Sequence, residues 1–195
     1  MSKSPTTFED ILTCARTLVV SGGYNGFSYA DIAEVVGIRK ASIHHHFPSK
    51  LDLVKTVVQR YRLAAREGLT HLEHAIPGAL AQLRAYIGYW EACIGDASAP
   101  FCVCAMLASE LPLLPEEVAV EIRAHFRFLA EWLTSVLERG AREDGIKLAF
   151  PAAVEAEAFM ATAHGAMLSS RAYGDPAVFG SVMGAQLERM IASKS

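Results

Sequence analysis

Within twelve residues the chain gathers Arg39, Lys40, Ser42, His44, His45 and Lys50. Side chains of these types donate hydrogen bonds to phosphate oxygens and read the edges of bases. A Lys beside the exposed N–H groups of a helix start also makes an anion site, as Lys50 would at the head of a helix. Clustered in this way, they point to nucleic-acid contact, provided that a rigid element presents them together.

The surrounding residues supply such an element. Ser28 and Asp31 are spaced as a capping box, so a helix is expected to begin at Tyr29. Ile32, Ala33 and Val36 form its inward stripe, and the small Ala33 lets a second helix cross closely. Gly37 stands where a tight turn needs a left-handed residue. Ile38 then plugs the gap, and Ile43 and Phe47 bury the inner side of a second helix. Its first residues, Arg39, Lys40, Ala41 and Ser42, would meet base edges in the major groove. An ordinary helical hairpin also often turns at Gly, so the flanking residues must carry the distinction.

Those flanks resemble a known family. Ile11-Leu12-Thr13-Cys14-Ala15-Arg16-Thr17-Leu18 is followed by Gly22-Gly23-Tyr24, Phe27-Ser28, Asp31-Ile32-Ala33, Gly37-Ile38, Ala41-Ser42-Ile43 and Phe47-Pro48-Ser49-Lys50. From Ile11 to Val58 this resembles the DNA-binding domain of the TetR family of bacterial repressors. The resemblance implies an all-α fold, with a three-helix head at residues 1–50, a fourth helix at 50–75 as a bridge, and a body at 76–195 for ligand binding and dimerisation. It implies DNA contacts at Ser28, Tyr29, Arg39, Lys40, Ala41, Ser42, His44, His45 and Lys50. Two positions depart from the family. His44 and His46 stand where Tyr is usual, and His46 is expected to lean inward and pack under the motif. Glu9 and Asp10 open the first helix, where a basic residue is common.

The 195 residues carry a net charge of -3 and are 52% hydrophobic, enough for a substantial core. Charge is unevenly distributed. Through Arg62 there are eight Lys/Arg against five Asp/Glu; the remainder holds ten against sixteen. A basic head on an acidic body favours one orientation on DNA. No uninterrupted apolar run reaches transmembrane length. The opening Met-Ser-Lys-Ser-Pro lacks the apolar core of a signal peptide, so a cytoplasmic location is expected.

Breakers divide the body into helices. Ser49 and Asp52 form a second capping box, starting a helix to about Ala75. Helices are then expected at about 79–94, 101–109, 115–143, 151–173 and 176–192, with a loop at 95–100 and a break at Leu111-Pro112-Leu113-Leu114-Pro115. No strand is expected. In the last two helices Gly165 and Ser169, and Gly180 and Gly184, are four apart and would make smooth strips for close helix approach. Met183 and the Gln186-Leu187 pair lie beside them. The resemblance implies that these two helices form a four-helix bundle with a second copy, although internal packing is the alternative. Two copies would set their recognition helices about 34–36 Å apart on a palindromic site.

The resemblance also implies a small-molecule pocket in the body. Tyr86, Tyr89, Trp90, Phe101, Cys102, Met106, Phe126, Trp132 and His164 are its candidate lining residues, with Arg123 and His125 as further polar contacts. The scarcity of charge among them favours an apolar or weakly polar ligand. An aromatic stripe of this spacing equally suits a core.

The histidines at 44–46 point about 100° apart on a helix and cannot converge on one metal ion. Neither a metal nor a cofactor is expected. Cys102-Val103-Cys104 lacks the partner motif of a structural zinc site. Buried apolar Cys is one reading of this pair. The other is that 101–110 resembles a TetR branch with electrophile-sensing thiols, with Cys102 as the sensor, which requires an accessible thiolate. No phosphate-binding loop or nucleophile motif suggests an enzyme. The expected function is transcriptional regulation, most simply repression relieved by an inducer; activation, or a purely protein-binding helical role, stays open.

Overall fold

The computed structural model describes residues 7–97 and 100–191, and every regular element among them is helical. The expectations for the N-terminal Met-Ser-Lys-Ser-Pro, for Ser98 and Ala99 of the 95–100 loop, and for the end of the last helix at Ala192 lie outside the described residues. The helices are α1 (Thr7–Gly22), α2 (Tyr29–Val36), α3 (Lys40–His46), α4 (Lys50–Ala75), α5 (Ala79–Gly95), α6 (Val103–Ala108), α7 (Glu116–Glu143), α8 (Ala152–Tyr173) and α9 (Ala177–Ile191). A short 3-10 turn, Leu111–Leu113, occupies the expected break before α7.

Local chemistry explains the boundaries. Ser28 caps α2 reciprocally with Asp31: the Ser28 N–H donates to Asp31 Oδ2 at 2.7 Å and the Ala30 N–H to Ser28 Oγ at 3.1 Å. Ser49 and Asp52 repeat the arrangement at α4, with the Ser49 N–H 3.1 Å from Asp52 Oδ2 and the Asp52 N–H 3.2 Å from Ser49 Oγ. Gly37 closes α2 at φ 73°, the left-handed conformation that the turn requires. Asp175 accepts from the Ala177 N–H at 2.9 Å, which restarts the chain after Gly174.

The helices form two compact units. One contains the chain up to Ala65 together with Cys102–His125, and the other contains Arg66–Phe101 together with the chain from Phe126 onward. The first is drawn more widely than the 1–50 head of the sequence reading because α6 packs on α1. Its core is Ile11, Ala15, Val19, Ile32, Ile43, Phe47, Leu53, Val54 and Val58, with Cys102, Val103, Cys104 and Leu107 from the later segment. Burying one such branched side chain contributes roughly 1.5–3 kcal/mol, so this short helical head is held by packing rather than by helix propensity. In the second unit Leu83, Tyr86, Leu133, Leu137, Phe159, Met167, Phe179 and Met183 are buried, and α8 packs along α9.

Candidate nucleic-acid interface

The expected recognition element is α3. Ile43 is fully buried and Phe47, just beyond the helix, nearly so, while Lys40, Ala41, His44 and His45 form a continuous exposed strip, flanked by exposed Arg39. Ser42 is half-buried at the edge of that strip. The inner side is anchored by Phe8, whose ring stacks on Phe47 at 4.9 Å and meets His46 edge-on at 6.0 Å. His46 thus takes the inward-leaning place expected of it. The His44 ring turns to Tyr29 at 4.8 Å, whereas His46 meets Phe8 on one side and the edge of the His45 ring, at 5.3 Å, on another. Among the described residues no group of three or more His, Cys, Asp or Glu is placed to hold a metal.

Two expected DNA contacts have their polar atoms turned inward. The Tyr29 hydroxyl donates to the Phe47 carbonyl at 2.9 Å. Burial, aided by the Asp52 and Tyr24 charges, pushes its phenol up to about 12, so the hydroxyl keeps its proton. The Lys50 ammonium donates to the Phe27 carbonyl and lies 4.2 Å from the Phe27 ring centroid and 5.2 Å from that of Tyr24. Desolvation lowers its pKa, opposed by the Asp31 and Glu110 carboxylates. Lys50 is therefore not the free phosphate grip expected from its position at the start of α4. A carbonyl and two aromatic faces already satisfy it, and a phosphate must displace them.

Sequence reasoning missed Glu110. Both its carboxylate oxygens accept from the Tyr24 N–H, at 3.2 and 3.1 Å, across 86 residues of sequence. A Cβ on Gly23, which has φ +73°, would stand 1.6 Å from Glu110 Oε1. Glycine at 23 therefore serves both the turn conformation and the approach of this carboxylate. No local pattern signals such a contact. In the same unit Arg62 pairs with Glu121 at 2.9 Å, and Gln59 reaches the other Glu121 oxygen at 2.8 Å.

The family model described as "Bacterial regulatory proteins, tetR family" matches residues 11–57, and that for "Tetracyclin repressor-like, C-terminal domain" matches residues 79–185. The chain belongs to the TetR family of transcriptional regulators. A TetR-family regulator from Agrobacterium tumefaciens is 62% identical over 95% of this chain and 97% of that one, with a TM-score of 0.92. A TetR regulator from Legionella pneumophila is 26% identical over 98% and 100% of the two chains, with a TM-score of 0.85. The reduced form of E. coli NemR, at 19% identity over 97% and 100% and a TM-score of 0.80, shares the fold. Comparison with curated proteins gives no match. The family is one of DNA-binding regulators rather than enzymes. No described helix is long and apolar enough to cross a membrane.

The pocket residues expected from this TetR resemblance do not gather into one unit. Cys102 and Met106 belong to the first, and Tyr86, Tyr89, Trp90, Phe101, Phe126, Trp132 and His164 to the second. Tyr89 is 56% exposed and flanks Trp90 rather than lining an interior. Tyr86 sits between Trp132 at 5.6 Å and Phe159 at 6.3 Å, with the Trp132 indole N–H buried and without a hydrogen-bond partner. Phe101 carries the Arg171 guanidinium 4.9 Å over its ring. His164 packs on Phe126 at 5.3 Å, and burial lowers its pKa to about 4, so it is neutral at ordinary pH. Beside them an open groove of about 580 Å³ runs along α7 and α8, bordered by Phe126, Ala130, Thr134, Glu138, Glu157 and Met160. Of the further polar candidates, exposed Arg123 pairs with Glu116 at 2.6 Å, and His125 is buried in the first unit beside Cys102.

Cys102 does not meet the conditions for an electrophile sensor. It is 1% exposed and caps α6 by accepting from the Ala105 N–H at 3.4 Å. Burial raises its pKa, although the Tyr61 hydroxyl and backbone N–H groups partly oppose this. A desolvated thiol is a poor nucleophile.

The expected dimer residues divide in two. Met183 and Leu187 are buried in the protomer's own core, and Gly180 faces Glu91, whose Oε1 would lie 1.8 Å from an added Cβ. These serve internal packing. Gly165 is exposed with open space above it, Gly184 is half-buried with open space, and Ser169 and Gln186 are half-buried. The outward stripe on α8 instead reads Val154, Ala158, Ala161, Gly165, Leu168 and Ala172, all exposed and none charged.

Proposed function

We propose that this TetR-family regulator acts as a homodimeric repressor that holds a palindromic operator and is released by a small molecule. The observation that carries the reading is the exposed α3 strip, Arg39, Lys40, Ala41, His44 and His45, mounted on buried Ile43 and Phe47. Donor groups on a short helix stiffened from below suit base reading in the major groove. Ser28, Tyr29 and Ser42 border this face, and Lys50 joins the phosphate contacts by exchanging the Phe27 carbonyl for a phosphate oxygen.

The α8 stripe supports dimerisation. Leu168 is 58% exposed and Val154 52%, on a helix whose opposite side is also apolar. A helix with apolar residues on two opposite sides calls for a neighbour on each, and a second copy would supply the outer one. A ligand would act by binding a conformation that does not fit DNA more tightly than the one that does. The apolar surroundings of Tyr86, Trp132 and Phe159 favour an apolar or weakly polar molecule with an acceptor for the Trp132 N–H. A cytoplasmic location accords with this role.

The test is a gel-shift titration against the intergenic DNA upstream of the protein's own coding sequence, at two salt concentrations. A discrete, salt-sensitive complex that survives competitor DNA is expected. If neither that DNA nor a random duplex library yields a specific complex, the reading is overturned.

A further inference from the structure

His44 stands where this family usually places a tyrosine, and its surroundings restrict what it can recognise. Its Nδ1 lies 3.3 Å from the Pro48 carbonyl oxygen. A carbonyl oxygen only accepts, so the hydrogen bond requires Nδ1 to carry the proton. In the neutral ring Nε2 is then a lone-pair acceptor, because the hydrogen bond at one ring nitrogen sets the role of the other. The ring is also held from one side, tilted against Tyr29 at a centroid distance of 4.8 Å. Tyr29 is itself tied to the Phe47 carbonyl at 2.9 Å, so the platform under the imidazole is anchored.

We infer that His44 determines sequence specificity by presenting Nε2 as a hydrogen-bond acceptor to an exocyclic amino group, cytosine N4 or adenine N6, in the major groove. The inference rests on α3 being the DNA-reading helix. His44 lies four positions after Lys40, so both lie on one exposed strip of α3, one turn apart. Arg39 and Lys40 can only donate, and they suit guanine O6 and N7. His44 is the residue of this strip whose hydrogen bond leaves an acceptor free. A phosphate oxygen also only accepts, so the neutral His44 ring has nothing to offer it. The substitution of His for Tyr thus exchanges a hydroxyl, able to donate to the backbone, for an atom that discriminates among bases.

The test is selection from a random duplex DNA library at pH 8 with the full-length wild type, His44→Phe and His44→Gln. The Phe variant keeps a ring for Tyr29 and removes both nitrogens. The wild type is expected to enrich C or A at one position in each half-site. His44→Phe should lose that preference, roughly tenfold in discrimination, while the remaining positions keep theirs. His44→Gln should restore a preference and move it towards A, which Gln reads through N6 and N7. An equal loss of affinity on all sequences in His44→Phe, with the selected site unchanged, would overturn the proposal in favour of a backbone or packing role. So would an unchanged site at unchanged affinity. If the wild type enriches nothing, the DNA-reading assignment of α3 fails, and this proposal with it.

Discussion

Two of the exposed helix faces among the described residues have opposite chemistry. The outer strip of α3 carries Lys40, Ala41, His44 and His45, beside Arg39; that of α8 carries Val154, Ala158, Ala161, Gly165, Leu168 and Ala172. Water satisfies the first face when it is free, so it can wait for a ligand that competes with water group by group. Exposing the second to water is costly, so it calls for a permanent neighbour. On the proposed function, the difference separates a reading surface, which would gain specificity from unspent hydrogen bonds, from an assembly surface, which would gain stability from area.

The largest effect should come from charging the assembly face. Leu168→Glu is expected to yield monomers in sedimentation and to weaken operator binding by about 10²–10⁴-fold, the avidity of two linked half-sites. A dimer of unchanged stability would show that the α8 stripe is covered in some other way. Support beneath the reading face comes next. Ile43, fully buried under α3, should cost roughly 2–5 kcal/mol of head stability as Ile43→Ala, seen in urea unfolding together with loss of DNA binding. A cost well below 1 kcal/mol would mean that the helix does not depend on this anchor.

A pH experiment compares the interiors behind the two faces. His164, half-buried on α8, has its pKa lowered to about 4, whereas an unfolded His titrates near 6.5. The unfolded chain therefore binds the extra proton between those values. Stability is full above about 6.5, falls as pH drops through this window, and levels off below about 4, a loss on the order of 3 kcal/mol. His164→Phe should flatten that slope. An unaltered acid profile would assign the proton uptake to another group. The smallest effect is expected at the edge of the reading head: Ser28→Ala removes the α2 cap and should cost about 1 kcal/mol, detectable as a lowered urea midpoint with the dimer intact.

The head was largely legible because its signals are local. The two capping boxes act across three residues, and Gly37 acts within one turn, so pattern and structure coincide there. The assembly face was harder to locate. Small residues at helical spacing mark Gly180 and Gly165 alike, yet Gly180 packs on Glu91 and Gly165 lies open. On a helix with apolar residues on two sides, periodicity cannot say which side meets its own core. The pocket residues suffered similarly, since aromatic spacing left exposed Tyr89 indistinguishable from buried Tyr86.

The sequence by itself determined the family, the all-helical course of the chain, and the residues offered on α3, because turns, caps and amphipathic strips follow from short-range bonding and side-chain period. Only the tertiary structure decided where polar atoms are already committed. Lys50 is turned to the Phe27 carbonyl, Glu110 reaches Tyr24 across 86 residues, and Cys102 is sealed in a core. Such commitments depend on which groups the packed chain brings within 3 Å or so of each other, and that is a property of the fold rather than of any local run of residues.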